Sequence, residues 1–344
     1  MIRLDKNNQA VWLHTRQTSY GFRVLETGQL EHLYYGKRIH SDTGACMALQ
    51  EKHVFAPGNS INYDADHLYL NLEDICLEQS SYGKGDLREP FLEITYPDGS
   101  VTSDFCFESL EQIEPGEVLN GLPESYGEEG EVECLVVHLR ERHFDLQLDL
   151  YYKVFEQCDV ICRSASLHNL GKEPVQINRL MSLQLDLQDA DYEFHTFTGA
   201  WLREMRHEKS KVCPGKHSTA SYTGTSSNHA NPFVMLAREN TTEECGNCFG
   251  FHLIYSGNHY EAVEESAHGK TRLVTGINPQ SFSWKLEPGQ EFASPEAVMT
   301  FSAQGFQGMS SQLHSFINHH IVRGTWKNKV RPVLLNSWEA AYMD

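Results

Sequence analysis

Apolar and polar residues alternate with period two along most of this chain. Residues 11–14 and 20–25 read as short strands. Residues 91–96 read as a third, running into the turn Pro97-Asp98-Gly99-Ser100. Residues 101–107 are the expected hairpin partner of that third strand. From Cys134 the alternation becomes denser. Residues 135–139, 144–152, 160–164, 175–180 and 183–187 each read as a strand, because neighbours in a strand point to opposite faces. Asn169-Leu170-Gly171 is the turn between two of them. Residues 249–255, 281–286 and 297–301 complete the series. Many strands joined by turns, without alternating helices, predict an antiparallel all-β sandwich. Their number predicts two large stacked sheets and not one small barrel.

Two stretches leave this pattern. Met309, Leu313, Phe316, Ile317 and Ile321 fall at helical spacing and predict a short linking helix over 308–320, with Ser310 and Ser311 as candidate caps. Further on, Val333, Leu334 and Leu335 form the short apolar run of a fully buried strand, and Asn336, Ser337 and Trp338 follow. This segment reads as the first strand of a parallel barrel. The C-terminal ends of barrel strands line active sites, which singles out Trp338 among the aromatic residues. Everything before it is then accessory.

Composition narrows the function. The 344 residues suggest about two domains or one large all-β unit. A net charge of −19 excludes a nucleic-acid surface, which needs clustered Lys and Arg, and argues against anionic lipid. A soluble cytoplasmic protein with a small neutral partner fits better. The first residues hold no apolar leader, and no run approaches the ~20 apolar residues of a membrane span. Nine cysteines, an odd and scattered set, read as reduced thiols. Cys245 and Cys248 have C-x-x-C spacing, but without a second pair they read as two thiols near a turn.

The acidic pairs Asp64 and Asp66, Glu73 and Asp74, and Asp189 and Asp191 could each be nominated as glycosidase carboxyls. Adjacent strand positions point apart, which argues against all three. His314, His319 and His320 miss the i, i+4 spacing of a zinc helix and read as surface or interface residues. Gly83-Lys84-Gly85-Asp86 is too short to cradle a phosphate and reads as a turn. Trp201, Trp284, Trp326 and Trp338 could offer stacking faces to sugar rings.

Seven segments taken in order add a resemblance. They are Gly83-Lys84-Gly85-Asp86-Leu87-Arg88-Glu89-Pro90, Gly199-Ala200-Trp201-Leu202-Arg203-Glu204, Gly224-Thr225-Ser226-Ser227-Asn228-His229-Ala230-Asn231-Pro232-Phe233, Tyr255-Ser256-Gly257-Asn258, Gly276-Ile277-Asn278-Pro279, Pro295-Glu296-Ala297-Val298 and Arg331-Pro332-Val333-Leu334-Leu335-Asn336-Ser337-Trp338-Glu339-Ala340. Together they resemble the N-terminal region of bacterial α-galactosidases of glycoside hydrolase family 36.

The resemblance implies a β-supersandwich over 1–307, a linking helix over 308–325, and over 326–344 the start of a truncated (β/α)8 catalytic barrel. It implies retaining hydrolysis of terminal α-1,6-galactosides such as melibiose, raffinose and stachyose, without metal or cofactor. Trp338 is the one sugar-contacting residue of the family's pattern present. The catalytic Asp pair is expected beyond residue 344, so the isolated chain should be inactive. The family also implies homotetramers in which a loop, here between Ala48 and Asp74, reaches a neighbouring active site; Glu51, Lys52 and Asp64 are its candidates. The alternative is a stand-alone carbohydrate-binding or assembly module.

Overall fold

The computed structural model describes residues 1–7, 9–40, 42–54, 61–116, 118–119, 121–338 and 340–342. Its strands are β1 (Ile2–Asp5), β2 (Ala10–His14), β3 (Thr18–Val24), β4 (Leu30–Lys37), β5 (Leu92–Thr95), β6 (Phe105–Ile113), β7 (Glu133–Glu141), β8 (Leu146–Phe155), β9 (Val160–Asn169) and β10 (Val175–Leu187). There follow β11 (Glu193–Thr198), β12 (Arg206–Lys211), β13 (Gly215–Ala220), β14 (Ala230–Ala237), β15 (Cys248–Ile254), β16 (His259–Glu265), β17 (Thr271–Ile277), β18 (Trp284–Leu286), β19 (Glu291–Ala293) and β20 (Glu296–Ser302). Two α-helices, α1 (Asp42–Leu49) and α2 (Gly305–Phe316), are the long helical elements among the described residues.

The strands pair antiparallel in three sheets. One is the meander β1-β2-β3-β4. A six-stranded sheet runs β13-β16-β17-β10-β18 with β5 also on β10. A ten-stranded sheet runs β12-β11-β14-β15-β20-β9-β8-β7-β6 with β19 also on β9. The two smaller sheets together face the large one, so the expected two-layer all-β sandwich is what forms. Phe22 of β3 stacks on Tyr152 of β8 with ring centroids 5.5 Å apart, and Tyr35 of β4 lies 5.4 Å from Phe249 of β15. Arg163 of β9 donates to the Gln184 carbonyl of β10 at 2.7 Å. One cluster of buried side chains runs through all three sheets. Period two explains it: Leu135, Val137 and Leu139 of β7, and Leu146, Leu148, Leu150 and Tyr152 of β8, all turn inward and are buried.

Several expectations need correction. Residues 101–107 are not the hairpin partner of β5. Pro97-Asp98-Gly99-Ser100 does turn, with Gly99 at φ 84° and Tyr96 N–H donating to Ser100 O at 2.9 Å. The chain then crosses to the other layer, where β6 pairs with β7, while β5 pairs with β10. Alternation marks both segments as strands but does not encode which sheet each joins. Residues 175–180 and 183–187 are one strand, β10, with a register shift between Met181 and Leu183 opposite β17. The helix starts at Gly305, three residues early, because Phe306 and Gln307 N–H donate to the carbonyls of Thr242 and Glu243. Ser310 and Ser311 lie inside it; Gln304 holds the cap position without a side-chain bond. A single π-type turn, Ile317–Ile321, follows.

Residues 331–337 are irregular, and Val333, Leu334 and Leu335 are exposed. The expected strand is not formed there, because a strand needs a neighbour for its N–H and C=O groups and the described residues supply none. Glu339 of the final motif lies outside the described residues.

Candidate functional site

Charge buried between the layers fixes the Gly83–Pro90 segment. Gly83 and Gly85 take φ of 100° and 92°, values open to glycine, and turn the chain inward. Asp86 is thereby interior, where Arg88 Nε donates to its Oδ1 at 2.8 Å and Arg272 Nη2 lies 2.8 Å from Oδ2. Arg272 also donates to both oxygens of Asp186 at 2.7 Å. Burial alone would raise the Asp86 carboxyl, but Arg272 and Arg88 hold it below the usual range. A second knot centres on Glu78, which accepts from Tyr20 and Tyr152 hydroxyls at 2.6 Å and pairs with Arg163 at 3.0 Å. Against the pull of burial, Arg163 and His32 bring its pKa down to about 2. Both knots are sealed from solvent, so they organise the sandwich and cannot act on a sugar. Pattern reading missed them, although their signal is present: Arg163, Asp186 and Arg272 interrupt otherwise apolar strands.

At least one carboxylate of each nominated pair is engaged. Asp64 accepts from the Asp66 and His67 N–H groups and from His67 Nδ1 at 2.7 Å. Glu73 and Asp74 face His268, at 3.9 and 3.3 Å. Asp189 binds the Arg238 guanidinium through both oxygens. None of these six residues lines either of two clefts of about 560 Å³ that flank α2. One cleft is polar and includes Arg16, Asp159 and Gln304; the other is apolar, with Phe197, Phe233, Met309 and Leu313 among its walls.

The candidate loop between Ala48 and Asp74 is tied to the body where it is described; residues 55–60 lie outside the described residues. Glu51 binds Lys270 at 2.7 Å, and the Asp74 carbonyl accepts from the same ammonium at 2.6 Å. Lys52 is exposed. Glu31, Glu51 and His53 bring ligand-type atoms within 4.8 Å of one another. Arg23 and Lys270 already neutralise the two carboxylates, which makes this a salt-bridged cluster.

The histidines do not converge. His319 Nδ1 donates to Ser315 O at 2.7 Å, His320 Nδ1 donates to Tyr126 O at 2.9 Å beside Phe155, and His314 lines the apolar cleft. Cys245 is exposed while Cys248 is buried and pushed up to about 12 by burial. No disulfide joins them.

Several aromatic residues are displayed, all four nominated tryptophans among them. Trp201 is 81% exposed at the β11–β12 turn, where Leu202 and Met205 hold left-handed φ of 63° and 57°. Trp338 is 57% exposed on a turn in which Ser337 O accepts from the N–H groups of Ala340, Ala341 and Tyr342, and Tyr342 packs on its ring at 5.6 Å. Trp284 rests on Phe292 at 5.2 Å, and Trp326 is exposed. Among the described residues no ring contact joins Trp201, Trp284, Trp326 and Trp338.

The model of the glycosyl hydrolase family 36 N-terminal domain matches residues 28–287, and the melibiase model matches 291–344. The chain is 36% identical over 346 residues to the α-galactosidase Mel36A of Lactobacillus acidophilus, covering 100% of this chain and 47% of that protein. It superposes on the family 36 α-galactosidase AgaB of Geobacillus stearothermophilus with a TM-score of 0.94 and 32% identity, covering 100% of this chain and 47% of that one. A variant of α-galactosidase AgaA from the same organism, solved in complex with raffinose, matches with TM-score 0.92 at 33% identity, over 97% of this chain and 46% of that one. The chain thus spans about half the length of the relatives it matches.

Proposed function

This chain belongs to glycosyl hydrolase family 36, and from that membership we propose that it serves an α-galactosidase acting on terminal α-1,6-galactosides such as melibiose, raffinose and stachyose. The observation that carries this reading is the superposition of the whole chain on α-galactosidase structures, with a TM-score of 0.94. The raffinose and stachyose complexes of the AgaA variants support the substrate class.

Such hydrolysis with retention needs two carboxyls about 5–5.5 Å apart, one attacking the anomeric carbon and one protonating the leaving oxygen. Of the nominated carboxylates, Asp64, Glu73, Asp74 and Asp189 are held by His67, His268 and Arg238, and Asp66 and Asp191 contribute backbone groups to the same turns. Our proposal therefore gives these residues a supporting role: the sandwich as scaffold, and Trp338 as a stacking face for galactose. The division into sandwich (1–307), link (308–325) and opening of a catalytic domain (326–344) belongs to the same proposal. The observed helix starts at Gly305, and the melibiase model takes it in. Assembly as a homo-oligomer and a reducing, cytoplasmic setting complete the reading; free thiols and the charge of −19 support the latter. No helix among the described residues is long and apolar enough to cross a membrane.

The test is hydrolysis of an aryl α-galactoside by residues 1–344 alone, with the longest available form of the protein as reference. No turnover is expected from residues 1–344. Turnover that disappears on substituting one carboxylate within them would sink the supporting role. Calorimetry with galactose and raffinose adds a second arm, in which micromolar binding by residues 1–344 would favour a stand-alone binding module.

A further inference from the structure

The chain passes from the ten-stranded to the six-stranded sheet between β12 and β13, at Val212-Cys213-Pro214. Val212 is buried there and its N–H donates to Tyr192 O, which fixes the corner. Cys213 is partly exposed at this corner, and His217 of β13 places Nε2 3.1 Å from its sulfur. Ser210 of β12 puts its hydroxyl 3.4 Å from the other ring nitrogen, Nδ1. Thiol, imidazole and hydroxyl thus form a line across the corner. With Nδ1 protonated and donating to Ser210, Nε2 is left as the acceptor for the thiol proton.

Other charged groups on the adjoining strands are engaged elsewhere. Lys209 binds Glu193, Lys216 binds Glu89, Glu264 accepts from the Glu89 N–H, and Glu261 pairs with His259. Arg206 binds Glu208, which leaves Lys211 of β12 and Glu265 of β16 as the remaining charges on those strands, and Glu265 sits opposite Gly215. His217 is the titratable group the structure sets against the sulfur. The other thiols differ. Six of the nine cysteines are buried; Cys106 lies half-buried with Arg142 Nε donating to its sulfur at 2.9 Å, but burial and the nearby Asp104 raise its thiol pKa; Cys245 is exposed, with the Thr242 hydroxyl 3.3 Å from its sulfur.

We infer that Cys213, paired with His217, is a reactive thiol and the chain's site of modification by peroxides and soft electrophiles. A thiolate is the nucleophile in such chemistry, and an imidazole within hydrogen-bond reach of the sulfur can take the thiol proton as it reacts. With hydrogen peroxide the thiol proton passes to His217 Nε2. The sulfur attacks one peroxide oxygen, the S–O bond forms and the O–O bond breaks. The departing hydroxide takes the proton from His217 and leaves as water. Sulfur is oxidised by two electrons to a sulfenic acid, and the peroxide is reduced. Cys213 lies where two sheet edges meet, so an added group there is accommodated at a corner and not within a core.

The test is competitive labelling of the intact protein with limiting iodoacetamide at neutral pH, read by peptide mass spectrometry. A parallel reaction with hydrogen peroxide traps sulfenic acid with dimedone. Cys213 is expected to react roughly ten-fold faster than Cys245, an exposed thiol without an imidazole. His217→Gln should bring Cys213 down to the rate of Cys245, leaving Cys245 unchanged. If Cys213 in the unsubstituted protein reacts no faster than Cys245, the inference fails, whatever the variant does. It also fails if a folded His217→Gln protein keeps the faster rate at Cys213.

Discussion

Arg272 is fully buried and makes ion pairs with two carboxylates, Asp186 and Asp86, at 2.7 and 2.8 Å. Such an arrangement offsets its own desolvation only while complete. Arg272→Met should therefore cost about 3–5 kcal/mol, because two buried carboxylates are left to share Arg88 as their one cation. Urea unfolding would show it as a lower midpoint. A double replacement that adds Asp186→Asn should recover much of the loss, since the buried Asp86 and Arg88 then remain as a matched pair. Trp338 is the opposite case. It is exposed and contributes little to the sandwich, so Trp338→Ala should leave the melting temperature unchanged. If it stacks on galactose as proposed, the substitution should lower kcat/KM of an active enzyme by on the order of ten-fold or more. Loss of the melting transition instead would make Trp338 a core residue.

At the scale of elements, the outer face of the large sheet carries an alternating ladder of acids and imidazoles. Glu111 of β6, His138 of β7, Asp149 of β8, His168 of β9 and Glu291 of β19 follow one another at 3.7, 2.7, 3.0 and 4.0 Å. The Asp149 hydrogen bond raises the His168 pKa above its ordinary value, against desolvation. Its contribution is complete below the unfolded histidine value of about 6.5 and is lost as pH rises through the higher folded value. Burial would raise Asp149, but its bonds to His168, His138 and Gln147 lower it. That contribution is present above the unfolded value of about 3.9 and is lost as pH falls through the lower folded one. The ladder is thus strongest between about pH 4 and 6.5. His168→Gln should flatten the stability profile between about pH 5 and 8 and not lower it uniformly, which a series of denaturation midpoints would reveal. The helix α2 depends on Phe316, buried with its ring 5.0 Å from Phe155. Phe316→Ala should cost about 3–5 kcal/mol.

For the whole molecule, the exposed apolar residues Val330, Val333, Leu334 and Leu335 form a patch that the sandwich leaves uncovered. Patches of this kind mark contact surfaces and favour association. Residues 1–344 in isolation should self-associate at high concentration despite the charge of −19. Replacing Val333, Leu334 and Leu335 with Ser should return light scattering to the monomer value. No change in scattering would show that the patch is covered by other means in solution.

Period-two alternation was enough to locate β7, β8, β9, β15 and β20, because each has one face against the core and one against a helix or solvent. Helical spacing placed α2 to within three residues of its start. The motifs in register pointed to the family, and Gly83–Pro90 among them lies at a turn where glycine and buried charge leave little freedom. Tertiary structure decided the rest. It sent β5 and β6 to different sheets, because alternation carries no partner identity. It buried Asp86, Arg272 and Glu78 as neutralised knots, because whether a charge in a strand is paired depends on residues up to about two hundred positions away. It left Val333-Leu334-Leu335 exposed, because an apolar run becomes a strand only when another backbone is there to bond it.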